Sequence, residues 1–155
     1  MDYVISGLSL QPFLPLFDLD QTALSQCGAV RCIADSKPGF PCRITLADAE
    51  PGERLLLLPW THLDVGTPYR ASGPIYVRES ARATMVVRNT IPEQQRSRLV
   101  SVRAYDATGW MRDADVVAGV GLEALIARLF ADQQTAFLHV HNARQGCYAC
   151  RVDRD

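Results

Sequence analysis

The chain, 155 residues and 17.1 kDa, has the size of one domain, about 100–200 residues, and can bury about 70% of its unfolded surface without a disulfide or structural metal. Hydrophobic residues make up 48% of it, which excludes a disordered chain. A formal net charge of −1 leaves no basic field, so neither nucleic acid nor an anionic membrane surface is expected as a partner.

The opening MDYVISGLSL lacks the basic start and long apolar run of a signal peptide. The densest apolar run, LLLLPW from Leu55 to Trp60, is too short to span a membrane. The five cysteines are therefore expected as reduced thiols, and the setting as cytoplasmic.

Tyr3 to Leu8 reads as a short strand. Leu16, Leu19, Ala23 and Leu24 then fall at helical spacing, and Gly28 stands where that helix should stop. Ala29 to Ala34 reads as a strand closed by the DSKPGFPC turn, and Arg43 to Leu46 as another short strand. Arg54 to Trp60 is apolar without alternation, the mark of a central strand covered on both faces. THLDVGTPYRASGP reads as a loop, and Ile75 to Glu79 as a strand. Between residues 80 and 98 the pattern predicts only a short helix opened by Ile91-Pro92-Glu93.

Leu99 to Tyr105 alternates, with Val100, Val102 and Ala104 on one face and Arg103 and Tyr105 on the other; DATG then makes a hairpin loop into Trp110 to Val117. GLEALIARLFAD is the clearest helix, its stripe being Leu122, Leu125, Ile126 and Leu129. Thr135 to His141 and Tyr148 to Val152 complete the strands. No repeat or composition shift divides the chain, so residues 1–155 should form one domain. Its predicted class is α+β: a mainly antiparallel sheet with two main helices packed on one face.

The candidate site is HVHNARQGCYACRVDRD, residues 139 to 155. In a strand, residues two apart share a face, so Leu138 and Val140 should face the core and Phe137, His139 and His141 the opposite side. Two imidazoles about 6–7 Å apart along a strand can reach one ion. Cys147 and Cys150 follow as C-x-x-C, so His139, His141, Cys147 and Cys150 offer four zinc-type ligands. The same residues also fit a redox pair, although only RVDRD follows Cys150, too little for the helix that usually acidifies such a thiol. A third reading is a pocket for a small anion, lined by His139, His141, Asn142 and Arg144 and joined by Arg43, Arg70 and Arg103. The fourth is plain packing: small buried thiols, satisfied histidines and a solvated arginine face.

Several segments carry a family resemblance: KPGFPCR (37–43), DAEPGERLLLL (48–58), YRASGPIYVRE (69–79), RAYDATGWM with DADVV (103–117), and HVHNARQGCYACRVDR (139–154). Through them the chain resembles an uncharacterised bacterial family catalogued as a domain of unknown function. The resemblance implies a stand-alone, single-domain cytoplasmic protein and brings no assigned activity.

Elsewhere the signals are weaker. Cys42 reads as a buried small residue rather than a nucleophile. His62 reads as a surface residue, and Asp113 and Asp115 as a water-facing pair at a sheet edge. No phosphate-binding loop, nucleophile elbow or H-E-x-x-H motif is present. Two function classes remain open: a domain whose C-terminal site holds zinc or a small anion, enzymatic or not, and a metal-free binding module whose C-terminal strand pairs across a homodimer.

Overall fold

A computed structural model describes all residues from Met1 to Asp155. It contains two antiparallel sheets. The larger is built from β1 (Tyr3–Ser6), β5 (Val86–Arg88), β6 (Leu99–Tyr105), β7 (Met111–Ala118), β8 (Phe137–Asn142) and β9 (Tyr148–Arg154), in the order β5-β1-β9-β8-β6-β7. The smaller joins β2 (Val30–Ile33), β3 (Arg54–Leu63) and β4 (Ala71–Arg78), with β3 central. The α+β class and the antiparallel pairing thus match the sequence pattern.

The main core forms where a period-2 face meets a period-3.6 stripe. Val100, Val102 and Ala104 of β6, Leu138 and Val140 of β8, and Cys150 and Val152 of β9 pack against α4 (Leu122–Leu129) through Leu122, Leu125, Ile126 and Leu129. Each large aliphatic side chain buried here contributes about 1.5–3 kcal/mol. A second core lies on the small sheet, where Leu56, Leu58, Ile75 and Val77 meet Phe13 and Leu24 from the N-terminal helical segment. The expectation of two main helices on one face is corrected accordingly. α4 serves the large sheet, and the first helical stretch serves the small one as two short pieces, α1 (Leu14–Phe17) and α2 (Gln21–Gln26). The break between them falls at Asp20, whose extended backbone (ψ 170°) lets its side chain accept from the Ala23 amide at 2.8 Å. An aspartate in that role starts a new helix rather than continuing an old one.

Two further expectations change. Residues 43–46 form turns rather than a strand, with Leu46 at φ 50°. The 61–74 stretch read as a loop is half strand, because β3 runs on to Leu63 and β4 starts at Ala71, which leaves only residues 64–70 as the loop. Their ladder slips between Thr61 and Leu63, which face Ser72 and Ala71, leaving His62 as the extra residue of a bulge. A bulge turns one side chain out of the strand's alternation. In β9 a second slip places Tyr148, rather than Ala149, opposite His141.

β9 lies between β1 and β8 and is paired on both sides. The C-terminal strand is thus not an edge strand, contrary to the edge position on which its pairing across a homodimer was expected. β8 is buried along its whole length. One face meets the α4 core, and the other lies under the end of β3, where Leu63 packs with Tyr105 and Phe137. Arg43 fastens the sheets together: its amide donates to the Tyr76 carbonyl of β4 at 3.0 Å, and its Nε to the Tyr148 carbonyl of β9 at 2.7 Å.

Candidate functional site: a histidine cluster and an arginine cleft between the sheets

All three histidines of the chain converge on the covered face of β8. His139 and His141 sit two apart on the strand with ring centroids 6.3 Å apart. His62, swung out by its bulge, reaches them from the small sheet at 5.8 and 5.1 Å. One ring nitrogen from each lies within 4.8 Å of the others, and no cysteine or carboxylate joins the group. Tyr148 walls the cluster, stacked on His62 at 5.1 Å and edge-on to His139 at 4.9 Å.

Burial sets the protonation of these rings. Desolvation first, then the neighbouring histidines and Arg151 and Arg103, push the pKa of His139 down to about 2. His141 falls to about 4, again through desolvation foremost, partly offset by its bond to Gly146 and reinforced by Arg103, His62 and Arg43. His62 is lowered by burial and by Arg103. At neutral pH His139 and His141 are therefore uncharged, the form that ligates metals.

Hydrogen bonding leaves one buried nitrogen of each ring without a partner. The His141 Nδ1 lies 3.0 Å from the Gly146 carbonyl; a carbonyl only accepts, so Nδ1 carries the proton and Nε2 is bare. Outer partners of this kind orient metal-binding histidines. The His141 Nε2, His139 Nδ1 and His62 Nδ1 are all buried without any hydrogen-bond partner. A group left so costs about 1–3 kcal/mol, and three in one place call for a missing partner.

Beside this cluster a cleft of about 730 Å³ opens between the sheets, lined among others by Tyr76, Arg43, Arg98, Asn142, Arg144 and Cys147. Arg98 is held in a two-pronged pair with Asp48 at 2.9 and 2.6 Å. Arg43, Arg103 and Arg144 take part in none of the chain's ion pairs. Burial lowers the pKa of the Arg43 guanidinium, with the Cys147 and Cys42 thiols opposing the shift.

The residues expected from the sequence divide among several places. His139 and His141 enter the histidine cluster, with Arg103 directly opposite His139 across the β6–β8 pair. Arg43, Asn142, Arg144 and Cys147 line the cleft. Arg70 lies outside both, exposed and paired with Asp64 at 2.8 Å. The four-ligand set His139, His141, Cys147 and Cys150 is not brought together, because Cys150 pairs with Val140 and points into the α4 core. Desolvation pushes its thiol up to about 12, slightly offset by Arg43. The ligand-type residue that sequence reasoning missed is His62, half-buried rather than at the surface. Its only signal was a histidine two residues beyond the apolar run of β3. Asp113 and Asp115 are both held by Arg128, at 2.9 and 2.8 Å.

A family model described as a protein of unknown function (DUF1203) matches residues 39–154. No curated protein and no solved structure matches the chain.

Proposed function

Because the chain belongs to the DUF1203 family, which brings no assigned chemistry, we propose from geometry alone that His62, His139 and His141 hold one transition-metal ion, zinc by preference, with the fourth position left to water. The observation that carries this reading is the convergence of three histidines from two different sheets, one ring nitrogen of each within 4.8 Å of the others, in rings that each keep a buried nitrogen without a partner. An all-imidazole set suits zinc among the divalent metals. Tetrahedral zinc at about 2.1 Å from each nitrogen would set the nitrogens about 3.4 Å apart, so modest ring rotation closes the site. Three protein ligands and an open position are the arrangement of catalytic zinc, which lowers the pKa of its water to about 7. Arg103, facing His139 across the strand pair, supplies positive charge for an anionic group arriving at that water. The reading is therefore a metal-assisted hydration or hydrolysis centre for a small substrate.

Elemental analysis of untagged protein tests it. Near-stoichiometric zinc is expected in the parent, and His62→Gln, His139→Gln and His141→Gln should each lower zinc affinity at least tenfold. Chelation should lower the melting temperature of the parent alone. Parent protein that takes up no metal, and melts unchanged with zinc or chelator, would sink the reading.

A further inference from the structure

The inter-sheet cleft raises a question separate from the histidines: what balances Arg43? Its side chain is 3% exposed, and its bonds run only to carbonyls, Nε to Tyr148 at 2.7 Å and Nη1 to Pro41 at 2.5 Å. Nη2 makes no hydrogen bond within the protein, and Arg43 is one of the residues that line the cleft. A guanidinium buried without a counter-charge is costly, and proteins ordinarily pair it. No acidic side chain lines the cleft. Asn142, 7% exposed, also lines it, and its side-chain amide makes no hydrogen bond within the protein. Arg144 stands exposed at the rim without an ion pair. Around these polar groups the walls are apolar, formed by Leu57, Pro74 and Leu99.

From the unpaired Arg43, the free amide of Asn142 and the apolar walls we infer that the cleft is a binding site for a small organic anion. Its carboxylate or phosphate head sits between Arg43 and Arg144, and its apolar body lies against Leu57, Pro74 and Leu99. The volume, about 730 Å³, lies within the range of small-molecule sites, about 300–1,000 Å³. The free Nη2 of Arg43 offers a charge-assisted bond to the head, and the Asn142 amide adds a neutral donor. Arg144, exposed and without an ion pair, supplies the second guanidinium to the head from the rim. This site goes beyond the metal reading and does not rest on it.

Thermal shift on protein stripped of metal, with the chelator then dialysed away, separates the two proposals. The probes are benzoate, phenyl phosphate, inorganic phosphate and neutral benzyl alcohol. Benzoate or phenyl phosphate should raise the melting temperature saturably by several degrees, as ligand linkage requires. Benzyl alcohol should not, and inorganic phosphate should bind at least tenfold more weakly than phenyl phosphate. The tighter of the two organic anions identifies the head group. Arg144→Gln, an exposed position, should fold normally and lose about tenfold in affinity, whereas Arg82→Gln outside the cleft should bind like the parent. Arg43→Lys, which keeps the charge but not the fork, should lose more. No saturable shift with either organic anion, benzyl alcohol matching benzoate, inorganic phosphate matching phenyl phosphate, or equal affinity in Arg144→Gln and Arg82→Gln would overturn the site. Failure of zinc binding leaves these outcomes unaffected.

Discussion

Cys147 and Cys150 share one short motif yet differ in burial, because Cys147 stands just before β9 and Cys150 lies within it on the core face. Cys150 is fully buried against Val140, where desolvation holds its thiol near 12; Cys42 is likewise buried, while Cys27 is exposed. Thiolates react and thiols do not. With an aromatic disulfide reagent at pH 8, Cys27 should therefore react within the first phase. Cys42 and Cys150 should react only as fast as the protein unfolds. Prompt labelling of Cys150 in native protein, located by peptide mapping, would contradict its placement in the core. At this scale the alternation of β8 was legible: period 2 alone separates Leu138 and Val140 from His139 and His141. Its consequence was not, since a pattern cannot show that a second sheet covers the histidine face. His62 was illegible for a sharper reason, as the bulge that aims it comes from the pairing with β4 rather than from its neighbours in sequence.

The small sheet keeps its register partly through one carboxylate. Glu53, at the turn into β3, accepts from Arg78 Nη2 of β4 at 2.8 and 2.7 Å, from Ser80 Oγ at 2.7 Å and from the Glu50 amide at 2.6 Å. Burial alone would raise its pKa, but the bonds from Ser80, the Glu50 amide and Arg78 outweigh it and hold the carboxyl below its ordinary 4.5. A depressed carboxyl adds stability that is complete above the unfolded pKa and is lost as pH falls through the folded one. Glu53→Gln should thus cost about 1 kcal/mol at pH 7, in line with a charge-assisted cluster that keeps some contact with solvent. The gap from the parent should shrink below about pH 4.5. Urea unfolding at pH 7 and pH 3.5 measures both, and a gap that widens on acidification would reverse the assignment. The central position of β3 could be read from its unbroken apolar run. The partner that fixes its register could not, because Arg78 lies 25 residues away in sequence.

The two sheets belong to separate hydrophobic clusters, one around α4 and one around the N-terminal helices. Arg43 and the histidine cluster are among the contacts that cross between them. A metal on His62, His139 and His141 would therefore act as a clip between β3 and β8, drawing its binding energy into the junction rather than into either core. A ligand at 1,000 times its dissociation constant stabilises the state it binds by about 4 kcal/mol. Amides that open by sheet separation, rather than by global unfolding, should feel this most. Hydrogen exchange followed by mass spectrometry tests the idea. Zinc should slow exchange in peptides covering β3 and the end of β8 by at least tenfold, and leave α4 nearly unchanged. In His62→Gln the protection should vanish from β3, even if His139 and His141 retain weak zinc binding on β8. Protection confined to β8 in the parent, or unaltered on β3 in His62→Gln, would mean that the ion does not bridge the sheets. The three histidines would then be a packed aromatic cluster rather than a metal centre.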